Sequence, residues 1–147
     1  MEIGTLKESD SLAILHNGSL GRIGCVDRET PYVVPVNYFF DGKDIYIHSL
    51  AGRKIDAMRT NPRVCLQVDE IHDTFHWRSV IAFGTYEEVL DAGRREEMLG
   101  KLFSRLPHMT PVETRMSQNL RDVILFRIKV ATITGVSEDW GGGAGSA

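Results

Sequence analysis

The sequence has no long apolar run and no large excess of one charge. Its 17 Lys and Arg residues face 20 Asp and Glu residues, which gives a formal net charge of −3 when the histidines are neutral. Because nucleic-acid binding needs a concentrated basic field, this balance argues against a nucleic acid as the main partner. No stretch approaches the roughly 18 apolar residues of a membrane-spanning helix. The opening MEIGTLKESD lacks the basic and hydrophobic regions of a secretory signal, so we expect a cytoplasmic location.

Cysteine is scarce as well, since Cys25 and Cys65 are the only two. They lie in different predicted strands and far apart in sequence, which fits neither a metal knuckle nor a disulfide framework. In a reducing cytosol, we expect both to remain thiols that pack as small hydrophobic side chains.

Self-sufficient catalytic motifs are missing. The sequence contains no GxSxG, HExxH, P-loop or GxGxxG pattern. His72 and His76 have the spacing of two metal ligands on one helix face, but this segment has no apolar helical periodicity and no nearby third ligand. We therefore predict no metal site. If the protein is an enzyme, its reactive group must come from a bound cofactor.

The apolar patterns predict one domain, residues 1–136, with six strands and two or three helices. The strands are Leu20–Val26, Tyr32–Phe40, Asp44–Ser49, Arg63–Asp69, Arg78–Leu90 and Val123–Val136, and the helices are Ser9–His16, Gly52–Thr60 and Gly93–Ser104. Gly84 predicts a bulge or a close approach of another backbone within its strand. The segment Glu70–Trp77 is interpreted as a polar connection, and residues 137–147 as a Gly-rich flexible tail. Short connections without βαβ alternation indicate a mainly β fold, a small antiparallel barrel with peripheral helices.

The stretch Pro31–Asn61 is the most informative. Pro35 interrupts a β-branched and aromatic strand, which marks an edge, a bulge or a backbone that faces something other than a strand. Asp41-Gly42 is a hairpin turn signal. Arg53 and Lys54 then open a short helix, where the helix dipole disfavours cations by roughly 0.3–1 kcal/mol each. The pair indicates either a bound anion such as phosphate or two side chains that extend into water.

Four segments occur in consistent order between residues 8 and 136: VVPVNYFFDGKDIYIHS, GRK, NPRVCLQVD and WRSVIAFG. Together they resemble the pyridoxamine-phosphate-oxidase-like FMN-binding split barrels, in the branch that includes 5-nitroimidazole reductase-like proteins. The resemblance implies a six-stranded antiparallel barrel that forms a homodimer. It also implies one FMN in each of two clefts at the subunit interface.

The resemblance further implies the residues that bind the cofactor. Arg53 and Lys54 match the family's basic pair for the FMN phosphate, and Arg78 would place a positive charge near the flavin ring. The full predicted set is Val34, Pro35, Val36, Asn37, His48, Ser49, Arg53, Lys54, Trp77, Arg78 and Ser79. Each has a structural alternative: the valines are also typical core residues, and His48 is also typical of a hydrogen-bonded strand histidine.

The functional hypothesis is an FMN-dependent oxidoreductase that reduces a nitro compound or a quinone with a reduced nicotinamide. Pyridoxamine phosphate oxidases end in a basic segment that grips their substrate, whereas this chain ends in SEDWGGGAGSA, so we do not expect vitamin B6 oxidation. One alternative is a non-catalytic flavin- or haem-binding protein of the same fold, with one of the five histidines on the iron. Another is a dimeric interaction module without a cofactor. No residue is assigned as catalytic.

Overall fold

The computed structural model describes residues 2–104, 111 and 119–139. Its elements in chain order are β1 (Glu2–Thr5), α1 (Glu8–Asn17), β2 (Leu20–Asp27), β3 (Thr30–Phe40), β4 (Ile45–Ser49), α2 (Arg53–Thr60), β5 (Arg63–Asp73), β6 (His76–Glu88), α3 (Ala92–Ser104), a short 3-10 helix (Leu120–Asp122) and β7 (Ile124–Asp139). None of the described helices is long and apolar enough to cross a bilayer.

Six strands close into an antiparallel ring. The order is β7-β4-β3-β2-β5-β6, and β6 pairs back onto β7. β7 is long enough to pair with β6 from Phe126 to Asp139 and with β4 near its start. Ring closure leaves few unpaired strand edges, which is how small barrels avoid edge-to-edge association. The predicted six-stranded antiparallel barrel is confirmed.

A seventh strand, β1, was missed. It pairs with the end of β7, so that Gly4 lies opposite Ser137 and Thr5 opposite Val136. β7 continues to Asp139, beyond the predicted end at Val136, and residues 137–139 are therefore strand rather than tail. The rest of the predicted tail, residues 140–147, lies outside the described residues.

The predicted polar connection Glu70–Trp77 is wrong. β5 runs to Asp73 and β6 starts at His76, so the two strands form one long hairpin. The carboxylate of Asp73 accepts a hydrogen bond of 2.7 Å from the backbone N–H of Phe75 and closes the turn. Side chains 70–75 are all exposed, and this part of the hairpin therefore lacks the apolar alternation that identifies a half-buried strand.

Inward-facing side chains fill the barrel. Ile23, Ile47, Leu66, Val80 and Phe126 are fully buried there, each contributing roughly 1.5–3 kcal/mol of burial free energy. A second apolar cluster lies outside the ring, beneath α3, and includes Tyr46, Met98, Leu99 and Leu102. Because α3 covers the outer face of β4, all five residues of that strand are buried.

The bulge predicted at Gly84 is confirmed. The register between β6 and β7 shifts between Phe83 and Gly84. A Cβ atom at Gly84 would lie 2.1 Å from the carbonyl oxygen of Lys129, so only glycine allows the two backbones to approach this closely.

Candidate functional site

The first turn of α2 is open. Gly52 precedes it without a side-chain cap, and a Cβ atom placed on Gly52 would have no described contact within 4 Å beyond its chain neighbours. The first N–H groups of a helix have no partners within the helix and carry the positive end of its dipole. This end of α2 can therefore receive an anion.

Arg53, the first residue of α2, is held by two neighbours. Its Nε donates a hydrogen bond of 2.6 Å to Asp27 at the end of β2, and its guanidinium lies 4.5 Å from the ring centroid of Tyr32. The hydrogen bond with Asp27 raises the pKa of Arg53. With 59% of its side chain exposed, the guanidinium can still reach a ligand in the adjoining space.

Lys54 differs from Arg53 because it is half-buried and has no carboxylate partner among residues 2–104, 111 and 119–139. Burial lowers its pKa, and the nearby thiol of Cys25 opposes this only in part. A half-buried ammonium without a counter-charge is unfavourable unless something else supplies the negative charge. Its position beside Arg53 makes this the strongest anion site suggested by the described residues.

A cavity of about 860 Å³ opens between the β2–β3 turn and one side of α2, which lines it from Arg53 to Thr60. Arg28 and Arg53 contribute cations to its wall, while Asp27 and Asp56 contribute carboxylates. The space is large enough for a phosphate and the chain attached to it. Of the predicted basic pair, Arg53 therefore borders this cavity, whereas Lys54 is not among its lining residues.

The segment 34–37 forms part of a half-paired strand. β3 pairs with β2 from Thr30 onward, but in the described structure β4 joins it only from Tyr38. Val34 and Val36 point into the barrel core, as their structural alternative predicted. Pro35 lies opposite Arg22 on the outer face. The edge predicted from Pro35 is therefore present, and the backbone of residues 34–36 borders it.

His48 and Ser49 face opposite sides of β4, as neighbours in a strand do. His48 is buried beneath α3, with its ring centroid 4.9 Å from that of Phe103. Ser49 is buried on the other side, where its Oγ donates a hydrogen bond of 2.7 Å to the carbonyl of Leu50. The structure places Ser49 near the approach to α2, but it does not bring His48 there.

Trp77, Arg78 and Ser79 lie at the hairpin end of β6. The indole N–H of Trp77 donates a hydrogen bond of 2.8 Å to Glu138. Arg78 forms a close ion pair with Glu70. Ser79 accepts a hydrogen bond of 3.0 Å from the side-chain amide of Gln67.

The predicted phosphate-binding residues, Arg53 and Lys54, lie at the opposite end of the sheet from the predicted cofactor-binding residues Trp77, Arg78 and Ser79. In the antiparallel register of β2 and β5, Gly24 lies opposite Cys65, which puts Asp27 level with residue 62. Ser79 of β6 lies opposite Asp69 of β5. Seven residues along β5 therefore separate the level of Asp27 from that of Ser79. At about 3.3 Å per residue, this is about 23 Å along the strands. The side chains at the start of α2 and those of Trp77–Ser79 therefore do not meet within one protomer.

A comparison with known families identifies the chain's relatives. The sequence model of the family described as pyridoxamine 5'-phosphate oxidase matches residues 7–137. The chain belongs to this family. The resemblance inferred from the four sequence segments is thus confirmed at the level of the family.

Two solved structures share the fold of this chain. A FAD-binding protein from Mesorhizobium loti is 30% identical and has a TM-score of 0.76, with 95% of this chain and 100% of that chain covered. The FAD binding protein from Mycobacterium smegmatis is 21% identical, with a TM-score of 0.66 and coverage of 92% and 98%. An uncharacterised protein from Rhizobium meliloti is 35% identical over 89 residues, which span 60% of this chain and 59% of that protein.

Several residues around the site were missed by the sequence analysis. Asp27 and Tyr32 position Arg53, and Gln67 joins Ser79 to Asp69 through hydrogen bonds of 3.0 Å. Except for the contact between Gln67 and Asp69 within β5, these contacts connect different helices and strands, and nothing in the local sequence marks them. Of these residues, only Gln67 could have been identified from the sequence, because it is a polar residue on the outward side of an alternating strand.

The histidines and cysteines are weaker candidates for a functional site. Among the residues that the structure describes, no three His, Cys, Asp or Glu side chains are arranged to hold a metal ion. His76 lies 2.9 Å from Asp73 and 3.5 Å from Asp139. Cys25 and Cys65 are free thiols, and burial raises the pKa of both, which keeps them protonated. His108 lies outside the described residues.

Proposed function

We propose that this protein binds FMN and reduces a small organic acceptor, of nitro or quinone type, with a reduced nicotinamide as electron donor. The observation that carries the proposal is the half-buried Lys54 beside Arg53 at the open start of α2. A phosphate dianion would supply the counter-charge that the described carboxylates do not give Lys54. Family membership and the 30% identity to a FAD-binding protein from Mesorhizobium loti support a flavin as the molecule that carries this phosphate.

The half-paired edge of β3 gives the flavin ring a place to lie. The ring has polar atoms along one edge and flat apolar faces, so it needs backbone donors and acceptors beside an apolar surface. The backbone of residues 34–36 borders the open edge, and the outward ring of Pro35 offers apolar surface. A bound flavin supplies hydride-transfer chemistry, and the protein supplies binding, orientation and exclusion of water.

We further propose a homodimer in which Trp77 and Ser79 reach the flavin held by the other protomer. Because about 23 Å separates them, Trp77 and Ser79 cannot contact the same part of a bound cofactor as Arg53 of the same protomer. The outer sheet face carries exposed apolar side chains at Val33, Phe83 and Val136. Exposed apolar surface of this kind is typical of a protein interface.

Arg78 has a different role in this proposal from the one that the resemblance implied. Its guanidinium is paired with Glu70, so their charges largely cancel. Arg78 would therefore offer N–H donors to a flavin carbonyl oxygen rather than an unbalanced positive charge. Its removal would change the orientation of the ring more than the overall affinity.

The first test is the absorbance spectrum of the freshly purified protein, followed by mass analysis of the released cofactor. We expect flavin bands and the mass of FMN. Release of FAD would mean that the protein binds a flavin but that its cofactor is FAD and not FMN. A Soret band, or a colourless protein that takes up no added FMN, would contradict the proposal.

Activity is tested separately by following the oxidation of NADH and NADPH with nitroaromatic and quinone acceptors. We expect turnover with at least one donor and acceptor pair. A protein that holds FMN tightly but turns over none of them would instead be a non-catalytic flavin binder.

A further inference from the structure

Three neighbouring strands carry a row of polar side chains on the outer face of the barrel. Arg22 of β2 lies opposite Gln67 of β5, and Ser79 of β6 lies opposite Asp69 of β5. Gln67 and Asp69 are two residues apart in one strand, so their side chains lie on the same face. All four residues are half-buried, which strengthens hydrogen bonds relative to those in open water.

The carboxylate of Asp69 fixes the orientation of the Gln67 side chain. Oδ2 of Asp69 accepts a hydrogen bond of 3.3 Å from Nη1 of Arg22 and one of 3.0 Å from Nε2 of Gln67. A carboxylate oxygen only accepts hydrogen bonds, so the NH2 group of Gln67, and not its carbonyl oxygen, must face Asp69. The ion pair with Arg22 keeps the carboxylate in place.

The same NH2 group determines the direction of the hydrogen bond to Ser79. Nε2 of Gln67 lies 3.0 Å from Oγ of Ser79 and donates its second hydrogen to that oxygen. The hydroxyl oxygen is the acceptor in this bond, and its own hydrogen therefore points away from Gln67. Within the part of the chain that the structure describes, the Ser79 side chain has no second hydrogen-bond partner. The sheet thus presents Ser79 as a donor.

We infer that Gln67 is a positioning residue, which makes Ser79 a hydrogen-bond donor to a carbonyl oxygen of the flavin ring. Carbonyl oxygens only accept hydrogen bonds, so a serine that donated to Gln67 would have only lone pairs to face them. A donor at a flavin carbonyl also stabilises the negative charge that the ring gains on reduction. This inference rests on the proposed function in naming the flavin, whereas the direction of the bond between Gln67 and Ser79 depends on no ligand.

The direction of this bond is tested by NMR in the FMN-free protein. The side-chain amide signals of Gln67 are assigned by their loss in Gln67→Met. We expect both amide hydrogens of Gln67 to exchange with water more slowly than those of free glutamine. In Ser79→Ala, one of the two hydrogens should lose this protection, while the other, which is bound to Asp69, should keep it.

The effect on the flavin is measured with FMN that carries carbon-13 at its ring carbonyl carbons, whose NMR signals move upfield when a hydrogen bond to the oxygen is lost. Ser79→Ala should move one signal upfield and weaken FMN binding about threefold to tenfold. Gln67→Met should move the same signal in the same direction, because the hydroxyl hydrogen is no longer directed. In a Ser79→Ala background, Gln67→Met should change the affinity by less than about twofold, because Gln67 acts only through Ser79.

Gln67→Glu reverses the bond, because a carboxylate of similar size only accepts hydrogen bonds. The Ser79 hydroxyl should then donate to the new carboxylate, and the carbonyl signal should move as it does in Ser79→Ala. The same change in a Ser79→Ala background should not move the signal further, which separates the lost bond from the added charge. Thr85→Val removes a hydroxyl group at an exposed position of β6 and is the matched control, with unchanged signals and affinity. Circular dichroism melts establish that each variant is folded.

Three results would overturn this inference while FMN binding stays intact. They are unchanged protection of the Gln67 hydrogens in Ser79→Ala, carbonyl signals that do not move in Ser79→Ala, and an effect of Gln67→Met that is equally large with and without Ser79. A protein that takes up no FMN would overturn the proposed function and with it the ligand named here. The NMR measurement on the FMN-free protein would still decide the direction of the bond.

Discussion

The two ends of the sheet differ in which charged side chains they carry. At the α2 end, Arg53 and the half-buried Lys54 surround an open helix N-terminus. At the hairpin end, the described lining of a second cavity contains the carboxylates of Glu70, Glu138 and Asp139 and the guanidinium of Arg78, which is paired with Glu70. A net charge of −3 therefore coexists with one locally cationic corner, where we propose that the cofactor phosphate binds.

The largest expected effect comes from removing the cationic corner. The double variant Arg53→Ala/Lys54→Ala should weaken FMN binding at least about 100-fold, because it removes two charge-assisted contacts to the phosphate. Titration of FMN into the cofactor-free protein measures this. Lys43→Ala/Lys129→Ala removes two exposed lysines elsewhere and should change the affinity little. Equal losses in the two double variants would mean that general charge, and not this corner, attracts FMN.

The distance between the two ends predicts complementation between protomers. Arg53→Ala/Lys54→Ala damages one end, and Trp77→Ala/Ser79→Ala damages the other. Co-expressed in equal amounts, the two variants should recover about a quarter of the flavin sites of the native protein, since half of randomly formed dimers are hybrids with one intact site. Bound flavin per protein chain is the readout. Recovery of no sites would place all of these residues in a site within one protomer, whereas recovery of about half of the sites would exclude Trp77 and Ser79 from the flavin site.

A smaller effect is expected at Asp27, which binds Arg53 at 2.6 Å and competes with a phosphate for it. Asp27→Asn removes this negative charge and should raise the affinity for FMN by about threefold to tenfold. Glu29→Gln, an exposed acid in the same β2–β3 turn, is the matched control and should have a smaller effect. A weaker affinity in Asp27→Asn would show that the carboxylate serves mainly to position Arg53.

The smallest expected effect is on stability. Lys54→Met removes a half-buried charge from the FMN-free protein and should raise its Tm by a few degrees, whereas Lys129→Met at an exposed site should not. Because folding lowers the pKa of Lys54, the unfolded chain binds more protons between the folded and unfolded pKa values, and native stability rises with pH there. The advantage of Lys54→Met should therefore shrink toward alkaline pH. An advantage that is absent at neutral pH would contradict the burial of this charge.

Much of the fold could be predicted from the sequence because its signals are local. The alternation of Val64, Leu66 and Val68 indicated β5, and Gly84 indicated a bulge that the approach of Lys129 explains. Pro35 indicated the half-paired edge of β3. Each of these features depends on one residue type or on a short period, which a single sequence displays directly.

The missed features depend on distant contacts or on missing burial. β1 has only four residues and is defined by its pairing with β7, 131 or more positions away in the chain. Residues 70–75 of the β5–β6 hairpin are exposed on both faces, so this stretch has no apolar pattern to read. The contact between Asp27 and Arg53, like the separation of Arg53 from Trp77, follows from strand register. Register is set by the whole ring and not by any local motif.

Comparing FMN with riboflavin, which lacks the phosphate, in the native protein and in Arg53→Ala/Lys54→Ala tests the position of the phosphate most directly. The native protein should bind FMN at least about 100-fold more tightly than riboflavin, and the double variant should bind the two with nearly equal affinity. A native protein that does not distinguish them, or a double variant that keeps the full preference, would show that the phosphate lies elsewhere.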